Sequence, residues 1–175
     1  MTSNRLQLNP VKTEILWCAS ARRQQQIPVG PMRIGDTAVS PVTAVRDLGV
    51  HLDADMSMTA HVTATVRSCF AALRQIRSVH HSLSRDALVA LIRALVVTKL
   101  DYCCSVLVGV SGTLLRRLQS VLNAAARLVF SARRSDHITP LLRELHWLKI
   151  TERIQFRLCV LVYRCLHHTL PIHYT

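Results

Sequence analysis

Acid is what this chain has least of. Its 175 residues carry ten Asp and Glu against 22 Lys and Arg, a formal net charge of +12. Proline and glycine are also few, six and five, while half of the residues are hydrophobic, so the composition excludes disorder as the default. No long apolar run is present. The longest stretch without a charged residue is 102–115, interrupted by Gly109 and Gly112, and a membrane span needs about 20 apolar residues. No signal peptide is recognisable, and Cys103 and Cys104 are adjacent, poor geometry for a disulfide. An intracellular protein with reduced cysteines, most of them in helical cores and without a membrane partner, is the expectation. Neither a GxxxxGK phosphate loop nor a GxSxG elbow occurs.

The positive charge that is present is unevenly spread. Residues 1–56 hold six basic side chains against five acids, and residues 57–175 hold sixteen against five. Nineteen of the 22 basic residues are Arg, the side chain suited to bidentate phosphate contacts. A basic second part points to a polyanion partner, most simply nucleic acid.

Periodicity divides the chain at the same place. Residues 13–17 read as a strand, 18–31 as a polar loop, 32–39 as a hairpin around Gly35 and Asp36, and 44–52 as a further strand. From Ser57 the period becomes helical. Met58, Val62, Cys69, Leu73, Ile76 and His80 share one face, with Arg67 and Arg74 opposite. Ser84 and Asp86 open a second helix over 85–109, apolar on most sides (Leu95 and Leu100 among them) and therefore expected at the bundle centre. A third runs over 112–130 with Leu114, Leu118, Val121, Leu122, Ala125, Leu128 and Val129 inward. Thr139-Pro140 opens a short helix to His146 as N-cap and first residue. Thr151 opens the last, with Ile154, Leu158, Leu161, Val162 and Cys165 inward. Leu95, Leu122, Trp147 and Leu158 are expected in one core. The fold class is α+β and mainly α: a small antiparallel β part (1–56) followed by an α-helical bundle (57–175).

Four segments carry a family resemblance. Leu8-Asn-Pro-Val-Lys-Thr-Glu-Ile-Leu-Trp17 and Val45-Arg-Asp-Leu-Gly-Val-His-Leu-Asp53 resemble the last two palm motifs of a non-LTR (LINE-type) retrotransposon reverse transcriptase. Residues 118–128, and Asp136-His-Ile-Thr-Pro140 with Leu145-His-Trp-Leu148, are similar to the helical region that follows the palm. Lys149 departs from the family, which usually has Pro there, as does Val11, where a polar residue is usual. The resemblance implies an RNA-directed DNA polymerase that uses Mg²⁺ and an RNA–DNA template-primer. It makes residues 1–56 the end of a palm and 57–175 a thumb-side bundle whose partners include the upstream palm and fingers. It also implies that the metal-binding aspartates precede residue 1, so Mg²⁺ belongs to the parent polymerase and no cofactor to this chain, which is expected to be inactive alone.

Candidate site residues follow. By resemblance, Lys12 is an accessory general acid toward the leaving pyrophosphate; on residue type alone it is a solvated lysine before a strand. Arg46 and Gly49 sit in the primer-grip motif, where Gly49 permits close approach and Arg46 reaches a phosphate; a bulge glycine and a rim charge are the bland alternative. Arg67 and Arg74 lie on the polar face of the first long helix. Arg116, Ser120, Asn123 and Arg127 fall at i, i+4, i+7 and i+11, a line of donors fit to track a phosphate backbone, or simply a solvated face. Asp53 and Asp55 fit turn and helix capping better than metal binding. Cys159, Cys165, His167, His168 and His173 match no ordinary zinc spacing. Trp147 reads as a core anchor rather than a stacking platform. A stand-alone basic helical nucleic-acid-binding module is the alternative to a polymerase fragment.

Overall fold

The computed structural model describes residues 9, 12–19, 22–23, 26–28, 30–35 and 37–167. The chain forms two compact units, 1–61 and 62–175, with the division falling inside the first helix. Among the described residues no helix is long and apolar enough to cross a membrane.

Among its described residues the first unit holds three two-stranded pairings. β1 (Ile15–Leu16) pairs with β4 (Pro41–Val42), and this pairing is parallel, where only antiparallel strands were expected. β2 (Met32–Ile34) and β3 (Thr37–Val39) form the expected hairpin, with Gly35 at φ +59° in its turn; Asp36 lies outside the described residues. The expected strand over 44–52 is instead a second hairpin, β5 (Ala44–Asp47) against β6 (Val50–Asp53). Leu48 and Gly49 both have positive φ, +45° and +83°. A two-residue loop with two left-handed residues matches the right-handed twist of its strands, which is why the chain reverses here. After β6 the Asp53 carboxylate accepts from the Ala60 N–H at 3.2 and 3.3 Å and from the Ser57 hydroxyl at 3.1 Å. Asp55 accepts from the Ser57 N–H at 3.0 Å. Asp53 thereby satisfies an N–H group that the start of the following helix leaves without a partner, while Asp55 closes the turn before it.

α1 (Thr59–Val79) buries the apolar positions that its period selects: within the second unit Val62, Cys69, Leu73 and Ile76 are all 6% exposed or less. His80 lies beyond the helix end and is half-buried. The Ser84 hydroxyl accepts from the Ala87 N–H and opens α2 (Arg85–Ile92).

The expected single helix over 85–109 is not formed. After Ile92 one π-turn (Arg93–Val97) intervenes, with the Thr98 hydroxyl on the Arg93 carbonyl at 2.9 Å, and then comes α3 (Thr98–Asp101). A π-turn takes one extra residue per turn, so the apolar stripe shifts register. Val96 and Val97 turn inward and Leu95 turns out, 40% exposed, which corrects its expected place in the core. The helix stops at Asp101 because Tyr102 is extended and Cys103 left-handed (φ +50°). That break lets Cys104 and Leu107 bury from a short 3-10 turn.

α4 (Gly112–Phe130) is the most regular element, and each of its seven expected core residues is buried. α5 (Ile138–Glu144) starts two residues earlier than expected, with His137 as cap and Pro140 in the first turn, where its missing N–H costs nothing. α6 (Ile150–Leu166) opens at Ile150 rather than Thr151, because two side chains meet its first N–H groups: Glu152 accepts from the Lys149 N–H and Gln119 of α4 from the Ile150 N–H, both at 2.9 Å. Half-buried Arg153 pairs with Asp101 at 2.7 and 2.9 Å, holding α6 to the end of α3.

The expected inward stripe of α6 needs correction. Ile150 and Ile154 are buried, but Leu158, Leu161, Val162 and Cys165 are exposed; on one side the segment 103–105 only lines an open pocket with Val160 and Leu161, and no core forms there. Cys69 and Cys104 are the buried thiols, and the described structure leaves all six cysteines unbridged.

Candidate nucleic-acid interface

The second unit contains an open cleft of ≈ 740 Å³ between the end of α1 and the end of α4. Arg77 and His80 line one side, and Ser120, Asn123 and Arg127 the other. Phe70 closes the α1 wall, and Arg134, from the segment after α4, also lines the cleft. Among the described residues no acidic side chain lines it. The nearest acid in sequence, Asp136, engages the Arg133 N–H with its carboxylate at 2.7 Å and Arg127 with its carbonyl at 3.4 Å.

The positions follow from helical geometry. Phe70 and Arg77 are seven residues apart on α1, hence one above the other. Ser120, Asn123 and Arg127 rise along α4 at spacings of three and four, on the flank between its buried face and solvent. α4 ends at Ser131, which takes a left-handed φ of +49° and lets the chain turn so that Arg134 lines the same cleft. Both helices bring their carbonyl ends here, and each end carries about half a negative charge. The arginine charges of Arg77, Arg127 and Arg134 outweigh those two half charges, leaving a net charge of about +2 that attracts anions. Within the cleft wall, the buried Nε of Arg127 has no hydrogen-bond partner among the described residues.

The expected site residues distribute as follows. Asn123 and Arg127 line the main cleft. Arg116 does not; it lines a second cleft of ≈ 300 Å³ with Asn123 and Lys149, and its guanidinium donates to Thr113 at 2.9 Å. The Asn123 Oδ1 accepts from Gln119 at 2.8 Å. Arg67 and Arg74 are exposed on α1, three residues before and four after Phe70, so they flank the cleft wall without lining it. Arg77, His80 and Arg134 were missed. Seven-residue spacing links Arg77 to Phe70 and Arg134 to Arg127, but the second pair straddles a helix end, where periodicity loses its meaning.

In the first unit Lys12 is exposed, in a single 3-10 turn just before β1. Arg46 is exposed on β5 opposite His51, and Gly49 is in the exposed turn. β1 and β4 pair, and β4 ends two residues before β5 begins, so the lysine strand and the hairpin are neighbours within this unit. Buried His61 accepts a long 3.5 Å hydrogen bond from the His51 N–H. Burial pushes its pKa below the usual imidazole value, the nearby His51 adds to this, and Asp53 opposes it.

A two-ion centre of the kind a polymerase uses needs carboxylates free to hold metal. Asp53 and Asp55 do not fit, since both are engaged by N–H and hydroxyl donors of the turn. Of the Cys/His group that matches no zinc spacing, His168 and His173 lie outside the described residues; Cys159 and Cys165 are exposed on α6. Trp147 is 6% exposed, and its backbone N–H donates to the Leu142 carbonyl at 2.8 Å. Its buried position makes it a core anchor. Compared with family models, with curated proteins and with solved structures, the chain finds no match.

Proposed function

We propose that this chain is the nucleic-acid-holding, thumb-side portion of a non-LTR-type reverse transcriptase, and that it grips a phosphate backbone without itself catalysing synthesis. One observation carries the binding half of this reading: the acid-free cleft lined by Arg77, Arg127 and Arg134. Guanidinium groups on a rigid helical wall suit sequence-independent phosphate contacts, because they supply charge and donors but read no base edge. The polymerase half is supported by the palm-like motifs around Lys12 and 45–53. In that setting Arg46 and Gly49 lie against the primer end, and the Mg²⁺ that the parent needs is held elsewhere in it. The alternative, a stand-alone basic binding module, is favoured by the cleft lying entirely within the second unit.

Binding to a labelled oligonucleotide across a salt series tests the common core of both readings. Each phosphate contact contributes about −0.7 to −0.9 to the slope of log K against log salt, so three arginines give a slope of about −2 to −3. Arg77→Glu with Arg127→Glu removes most of it; a flat salt dependence in the unaltered chain overturns the reading. In a primer-extension assay with Mg²⁺ the chain yields no product, and extension above a Lys12→Ala control refutes the non-catalytic assignment.

A further inference from the structure

The cleft contains more than charge. Phe70 is half-buried in its wall, between Arg67 and Arg74 on the outer surface of α1 and Arg77 on the inner. Phe70 stands off the α1 core stripe, which runs through Cys69, Leu73 and Ile76. The volume of ≈ 740 Å³ falls within the range of pockets that enclose small organic ligands, roughly 300–1,000 Å³. Polar groups converge on it from both helices and from the segment after α4, and the buried Arg127 Nε–H still lacks an acceptor among the described residues.

A duplex satisfies only part of this arrangement. Its bases are stacked inside it, so it offers a concave pocket only a rail of phosphates. An unpaired strand offers both a phosphate and a free base face. Resting on the binding reading above, we infer that the cleft takes an unpaired nucleic-acid strand, with one phosphodiester among Arg77, Arg127 and Arg134 and a neighbouring base stacked on Phe70. Arginines beside an aromatic ring make such a platform indifferent to base identity, since every base has a π-face. Ser120 and Asn123 line the opposite wall, within reach of sugar and phosphate oxygens.

The test uses the full chain and fluorescence anisotropy of a labelled single-stranded RNA of about 12 nucleotides, within the usual span of such sites, competed with the unlabelled strand and with its blunt duplex. The single strand competes at least about fivefold better than the duplex, the lower end of what one stacked base contributes. Phe70→Leu, which keeps the wall apolar, weakens single-strand binding by about 5- to 150-fold, the loss of one base stack, and leaves duplex binding unchanged. Arg134→Gln weakens both. Phe70→Trp supplies an independent readout: its added indole fluorescence is quenched by the single strand and not by the duplex. Equal competition by the duplex, or an indole signal from the Phe70→Trp variant that the single strand leaves untouched, overturns the inference while salt-dependent binding survives. If neither form binds, the wider binding reading falls with it.

Discussion

Replacing Trp147 separates two effects that usually travel together. The indole is 6% exposed beside α5, so truncation to Ala removes a large buried side chain and leaves a cavity, a loss of about 3–5 kcal/mol. Yet its Nε1 is buried without a hydrogen-bond partner among the described residues, and an unmade buried donor costs about 1–3 kcal/mol. Trp147→Phe forfeits part of the packing but also removes that donor. The two terms are of similar size and opposite sign, so the Phe variant lies within about 1 kcal/mol of the native chain. Urea unfolding followed by far-UV circular dichroism gives both numbers, with equal slopes showing that only stability has changed. If Trp147→Phe costs as much as Trp147→Ala, the indole N–H is satisfied and the reasoning fails. If Trp147→Ala melts with the native chain, the residue is not a core anchor at all.

Three further outcomes follow from the fold. Leu48 holds a left-handed φ of +45° while 83% exposed, so Leu48→Gly or Leu48→Asn stabilises the β5–β6 hairpin by up to about 1 kcal/mol, read as a raised urea midpoint; a lowered midpoint refutes the strain. Burial pushes the Cys69 thiol up to about 11, against a weaker pull from Lys99, so at about pH 8 an alkylating reagent labels exposed Cys18, Cys159 and Cys165 rapidly and Cys69 only on unfolding; fast labelling of Cys69 in the native chain, located by mass spectrometry, refutes its burial. His61 resists protonation when folded but takes a proton near about pH 6.5 when unfolded, so stability is full above about pH 7 and falls as pH drops below about 6.5. His61→Gln flattens that decline, and an unchanged pH profile in the variant refutes the assignment.

α4 was legible in the sequence because nineteen residues keep one period and bury one face, with nothing inside them competing for the backbone. The helix over 85–109 was not, because its interruptions use no glycine or proline. A π-turn closed by the Thr98 hydroxyl and a left-handed cysteine leave no mark in composition. α6 shows the opposite failure. Its apolar period is real, but period states which residues share a face and not whether another element reaches that face, so Leu158 and Leu161 were placed in a core that ends at Ile154. Charge was legible as the basic excess of residues 57–175, as Arg67 and Arg74 on α1 and as a stripe on α4, but not as a cleft. Arg77 and Arg134 joined it through the meeting of two helix ends, a tertiary event that no local pattern records.

Gln119 couples the start of α6 to α4. Its amide donates to Asn123 one turn further along α4, while its oxygen receives the first N–H of α6, 31 residues away in the chain. A seventeen-residue helix in water is marginal by itself, and its costly step is nucleation. Here one part of that first turn is local, the Glu152 carboxylate on the Lys149 N–H, and the other comes from outside, through a side chain that is in place only once α4 has formed. The Ile150 amide therefore exchanges its hydrogen with solvent no more slowly than α4 opens. The outer half of α6, lacking such an anchor, exchanges sooner, as an independent and earlier step of unfolding.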